Sequence, residues 1–151
     1  MTISPIPAAD VAPDAHQKLT QAHYEAATLA RLLHKLFSSA FQPDLAEARV
    51  RALELGLALD AVGRAERVCG HCSGRDHAFP RYEEMLDHHR QAYLKFERLS
   101  SNVEDNPTLC SADTGTFASD IGHHLDAAEA AHQASLHDTG SWIGSEHELQ
   151  R

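Results

Sequence analysis

The stretch that decides the fold is Asp14–Ala40, DAHQKLTQAHYEAATLARLLHKLFSSA. Its apolar residues fall at Leu19, Ala22, Ala26, Leu29, Leu33, Leu36 and Ala40. Steps of three and four residues put these side chains on one face of an α-helix, the pattern of a helix packed against neighbours. Asp14 is the expected N-cap of this helix. Residues 1–13 carry three prolines and little periodicity, so they read as a flexible leader.

Moving outward, Gln42-Pro43-Asp44 ends the first helix and caps a second, with Glu47 three residues after Asp44 in a capping-box-like start. The second helix repeats the periodicity at Leu45, Ala48, Ala52, Leu55, Leu59 and Val62, and the same steps reach Glu66 and Cys69. A second stripe, Val50, Leu53, Leu57 and Ala61, makes it apolar on most sides, so it is expected to be the most buried helix. Gly70, Gly74 and Pro80 punctuate the break that follows.

A third helix is expected from Phe79 or Arg81 to Ser101, with Phe79, Tyr82, Leu86, His89, Tyr93 and Phe96 on its inner face. A loop from Asn102 to Thr116 then leads to a fourth helix through Phe117, Ile121, His124 or Leu125, Ala128, Ala131 or His132, and Leu136. Period-two alternation is absent, so no strand competes. Four helices with short connections give an all-α, antiparallel up-down four-helix bundle over residues 14–137, followed by a flexible tail, 138–151, that carries the lone Trp142.

The 151 residues suffice for one domain with its own core. The formal charge is −9, from 13 basic and 22 acidic residues, which argues against unspecific binding to nucleic acid or an anionic membrane surface. No run of apolar residues is long enough to span a bilayer. Three cysteines are an odd count, unlike a secreted disulfide framework. The opening MTISPIPAADVAP has neither a basic n-region nor an apolar run, so no signal peptide is expected. The chain reads as a soluble, cytoplasmic, bacterial-type domain.

Chemistry concentrates in Val68–Phe96, VCGHCSGRDHAFPRYEEMLDHHRQAYLKF, which holds two of the three cysteines and four of the twelve histidines. Cys69-x-x-Cys72-x-x-x-x-His77 offers two thiolates that can grip one borderline ion and an imidazole that can close a third side. A zinc-knuckle pattern would need a cysteine at position 82, where Tyr82 stands. His71, His88, His89 and Cys110 are candidates for a fourth ligand. A second grouping is spatial: His23, Cys69, His89 and His124 or His132 sit on or beside the inner faces of different helices and can converge inside a bundle. The competing structural reading makes Cys69 and Cys72 small core residues and each histidine a satisfied core or surface side chain.

Other motifs are incomplete. Glu129-x-x-His132 is a single ExxH where a di-iron site wants two, with Glu25 and Glu84 as the further carboxylates at hand. Cys69-Gly70-His71-Cys72 matches a disulfide-isomerase tetrapeptide, but at a helix end in an all-α chain rather than at a helix start in a βαβ setting. No Gly-rich phosphate loop and no Ser-His-Asp spacing points to an enzyme.

The motifs AHYEA around His23, Cys69 or Cys72 after the second helix, and FPRYEEMLDHHRQAY with His89 resemble the chemoreceptor zinc-binding (CZB) domain family. The resemblance covers residues 20–100. It implies a four-helix bundle in which His23, Cys69 or Cys72, and His89 hold zinc and in which metal or thiol oxidation alters helix packing or dimerisation. The family's second third-helix histidine is replaced by Tyr93, leaving its place to His88, His77 or Cys72.

The functional expectation is a zinc-binding sensory or regulatory module with Cys69, Cys72, His77, His89, His23 and His88 as ligand candidates. The alternatives are a metal-free acidic helical adaptor of the immunity-protein kind, which binds a protein partner, and an iron-binding bundle. A homodimer fits the first reading.

Overall fold

The computed structural model describes residues 8–39, 44–73, 81–105 and 111–135. All but Asp44 and Arg81 lie in four helices: α1 (Ala8–Ser39), α2 (Leu45–Ser73), α3 (Tyr82–Asp105) and α4 (Ser111–Ser135). Side chains are described for residues 14–38, 44–69, 81–104 and 113–135. Among the described residues, no helix is long and apolar enough to cross a membrane.

Cross-helix contacts fix the topology. His16 meets His132, and Arg31 meets Asp126. Residue numbers rise on α1 as they fall on α4, so the two run antiparallel. Lys95 with Asp120 and Asn102 with Thr114 set the same relation for α3 and α4. Tyr82 with Glu66 and Tyr93 with Leu59 set it for α2 and α3. The bundle is therefore up-down-up-down, with α1 packed on α2 and α4, α4 also on α3, and α2 and α3 touching least.

Asp44 caps α2 as its sequence position suggests. Its Oδ1 accepts from the backbone N–H groups of Ala46 (2.9 Å) and Glu47 (3.3 Å), and its carbonyl accepts from Ala48 N–H (2.9 Å). The inner face of α2 is the expected stripe, with Ala48, Ala52, Leu55, Leu59, Val62 and Cys69 all buried. Facing it are Leu19, Leu33 and Phe37 from α1, Met85, Leu99 and Val103 from α3, and Ile121 and Leu125 from α4. Each fully buried Leu, Ile or Met contributes on the order of 1.5–3 kcal/mol by leaving water.

The seams differ in their spacers. Between α1 and α4 the residues are small: Ala27 and Ala30 face Gly122, and a Cβ on Gly115 would stand 3.3 Å from Phe37 Cβ. Between α2 and α3 the spacers are rings. Phe96 lies over Gly56, and Tyr93 lies over Gly63 while donating its hydroxyl to Leu59 O at 2.5 Å. Tyr82 donates to Glu66.

Four expectations need correction. Helix α1 begins at Ala8, so Asp14 is inside it rather than at its cap. Ala8, Ala9 and Ala12 favour helix there, and Pro13 is accommodated within it at the loss of one backbone donor. Helix α3 extends to Asp105 and α4 starts at Ser111, because Val103 and Thr114 continue the buried face beyond the expected ends. The core face of α3 is Met85, His89, Ala92, Leu99 and Val103, while Tyr82, Leu86, Tyr93 and Phe96 sit half-buried on its flank. Finally, the second stripe of α2 faces water: Val50, Leu53 and Leu57 are 54%, 67% and 60% exposed, and Ala61 is half-buried. The expected tail, 138–151, lies outside the described residues.

Candidate metal centre

One end of the bundle gathers the start of α1, the end of α2, the start of α3 and the end of α4. The antiparallel order brings these four termini together, and the polar side chains there form two tiers.

The outer tier is His16, Cys69 and His132. His16 Nδ1 lies 2.9 Å from Cys69 Sγ and 2.9 Å from His132 Nε2. Their ligand atoms all fall within 4.8 Å of one another. Cys69 and His132 are buried completely, and His16 is half-buried at the rim.

Two helical turns deeper, His23 Nε2 is 2.7 Å from His89 Nε2, with both side chains buried. Glu129 joins the tiers. Its Oε1 accepts from His23 Nδ1–H at 2.7 Å and from His132 Nδ1–H at 3.3 Å, and its Oε2 accepts from the Thr20 hydroxyl at 2.9 Å. Gln133 Nε2 donates to both Thr20 Oγ1 (3.1 Å) and Glu129 Oε2 (2.5 Å). His23, Glu129 and His132 form a second group whose ligand atoms lie within 4.8 Å of one another.

The electrostatics favour the neutral form of His16, His23 and His89. Burial, and then the neighbouring His132, pulls His16 down to about 4. Burial pulls His89 down to about 3, helped by His23, His132 and His88. Burial also lowers His23, outweighing the support of Glu129. Glu129 shows the opposite balance: burial raises its carboxyl, but hydrogen bonds from His132, His23, Gln133 and Thr20 hold it far below the usual range. It is a carboxylate.

A carboxylate only accepts, so it fixes tautomers. His23 and His132 place their protons on Nδ1, and each turns a bare Nε2 lone pair away from Glu129. The His132 lone pair points at His16 and Cys69. The His23 lone pair takes the Nε2–H of His89. A thiol sulfur and two imidazole nitrogens around one point form a donor set suited to a borderline ion such as zinc. A carboxylate behind a ligating histidine is the usual outer support of such a site.

Of the residues singled out from sequence, Cys69, His23, His89 and His132 are brought together here. His88 is not: it faces away from the core and meets His124, with Nδ1 atoms 3.2 Å apart. The Cys72 and His77 side chains lie outside the described residues, as do those of His71 and Cys110. Glu25 and Glu84 point outward, to Gln21 (2.9 Å) and Arg81 (3.3 Å). Glu129 is the only carboxylate of the described residues in the cluster. Tyr93, at the position where the resemblance wants a histidine, is bound to α2 instead.

Sequence reasoning missed His16 and the linking part of Glu129. The signal was present, since His16, Thr20 and His23 are spaced four and three apart and share a helical face. Comparison with protein families, with curated proteins and with solved structures finds no match to this chain.

Proposed function

We propose that the chain is a metal-binding regulatory bundle that takes a zinc ion at this end, through Cys69, His16 and His132. The observation that carries this reading is the approach of Cys69 Sγ and His132 Nε2 to the same His16 nitrogen, each at 2.9 Å. These residues come from three helices and are separated by 53 and 116 positions from His16.

Tetrahedral zinc with bonds of about 2.0–2.3 Å holds its ligand atoms roughly 3.3–3.7 Å apart. Entry of the ion thus asks for an opening of about half an ångström, which side-chain rotation at the half-buried His16 can supply. Zinc would replace shared protons at this point and supply the charge that holds a thiolate in the bundle end. The residues themselves do the rest. Glu129 orients His132, Thr20 and Gln133 anchor Glu129, and His89 and His23 brace it from the core side.

Binding needs the thiolate and neutral imidazoles, so acid or thiol oxidation would empty the site. Release would untie α1 from the ends of α2 and α4, and that change in packing is the regulatory signal. Metal analysis of protein purified without a histidine tag, alongside Cys69→Ser, tests the reading. One equivalent of zinc in the native chain, lost in C69S while helicity is kept, is the expected result. A folded, metal-free native chain that takes up no added zinc would refute it.

A further inference from the structure

We infer that His88 and His124 form a second, surface-facing metal site: a two-imidazole chelate across α3 and α4 for a borderline divalent cation, copper(II) first. This inference does not rest on the bundle-end centre and uses none of its ligands.

The argument begins with direction. Adjacent residues on a helix point about 100° apart, so His89 in the core turns His88 outward. The same holds on α4, where Leu125 is buried and the preceding His124 stands at the rim. The two outward rings meet across the seam with centroids 5.4 Å apart and planes tilted by 38°.

Their Nδ1 atoms are 3.2 Å apart. Two metal–nitrogen bonds of about 2.0–2.1 Å at angles between square and tetrahedral span roughly 2.9–3.4 Å. The separation already equals the bite of a chelate, and no helix has to move. Held as a simple hydrogen bond, the pair would sit at the long edge of the ordinary range.

The pair is also fixed in place. Both rings are half-buried, and the α3–α4 register beneath them is set by Lys95 Nζ to Asp120 Oδ2 (3.1 Å) and Asn102 to Thr114 (3.3 Å). Two imidazoles held ready on separate helices bind one ion as a chelate, with the second bond formed at high effective concentration. Solvent on the open side completes the coordination. Imidazole donors and the general affinity order of divalent metals favour copper(II), then nickel(II) or zinc.

Copper(II) titration of the full-length, tag-free chain tests this in a Cys69→Ser background, which removes the thiolate of the other centre. The expected result is a copper equivalent, beyond any taken by the imidazoles left at the bundle end, whose electron paramagnetic resonance spectrum carries nitrogen coupling. H124Q and H88Q, tested separately, should each weaken that equivalent at least about tenfold. Circular dichroism verifies the fold, and both positions are half-exposed, so glutamine is tolerated. Equal copper affinity and stoichiometry in folded H88Q, H124Q and their double variant would overturn the inference, as would failure of the C69S chain to bind copper at all. Neither result would bear on zinc at the bundle end.

Discussion

The two ends of this bundle are built from the same four helices and bury different matter. At the end where α1 and α3 finish, the interior is mostly hydrocarbon, with Leu33, Phe37, Ala48, Ala52, Leu99, Val103 and Ala118, and the buried Thr114 is hydrogen-bonded by Asn102. At the other, Cys69, His23, His89 and His132 are buried together, and Glu129 joins them half-buried. Hydrocarbon there would have been the more stabilising choice, because polar groups repay burial only when every donor finds an acceptor. Three buried histidines, His23, His89 and His132, gather at this end beside the thiol of Cys69. The difference teaches that burial at the polar end depends on hydrogen-bond partners, whereas the other end depends on packed hydrocarbon.

The comparison can be broken in order of effect. Leu99→Ala at the apolar end should cost about 2–5 kcal/mol in unfolding free energy, from lost burial and the cavity left behind. Its zinc affinity should be unchanged, as calorimetry with a competing chelator would read. A large affinity loss there would show that the ends are not separable.

Glu129→Gln gives the converse result. It keeps the shape but removes the charge that fixes two tautomers, so zinc affinity should fall roughly 10–100-fold. Native affinity in E129Q would mean that Glu129 does not orient His132.

Acid sharpens the contrast next. His16 and His89 have folded values near 4 and 3, below the ordinary 6.5, so the folded state binds fewer protons than the unfolded chain. Their contribution to stability is complete above about pH 6.5 and is lost as the pH falls through 4 towards 3. Glu129, also lowered, adds loss in the same direction at the acid end. Chelator-treated protein should therefore show a denaturation midpoint that declines below pH 6.5, and H16Q/H89Q should flatten that decline. A pH-independent midpoint between 7 and 4 would contradict the burial of neutral imidazoles.

The smallest effect is expected on the exposed stripe of α2. Leu53→Ser should change stability by no more than about 0.5 kcal/mol, since the side chain is 67% exposed. Thermal denaturation measures it, and a loss above 2 kcal/mol would mean that this face is covered.

These residues also show what a sequence can reveal. The inner stripe of α2, from Ala48 to Cys69, was legible because its steps persist for six turns, and the Asp44 cap because its chemistry is local. His89 was legible as a histidine on an apolar step. Which of two apolar stripes faces inward was not, because Val50, Leu53 and Leu57 differ from Leu55, Leu59 and Val62 only in what lies opposite. On α3, aromatic rings reaching a flanking seam mimic a core face, and the true face is rotated by about one residue. His16 lies inside the expected helix but beside its apolar steps, and only the packing shows that it meets Cys69 and His132. Glu129 was seen as half of a carboxylate motif, and its work as the acceptor between two histidines needs the third dimension.

The most direct test is the visible and near-ultraviolet spectrum of the chain loaded with cobalt(II) in place of zinc. With Cys69, His16 and His132 as ligands, one cobalt equivalent should give the intense visible bands of a four-coordinate site and a thiolate charge-transfer band in the near-ultraviolet. The charge-transfer band should vanish in Cys69→Ser. A weak, six-coordinate cobalt spectrum with no thiolate band, from natively folded protein, would contradict the account.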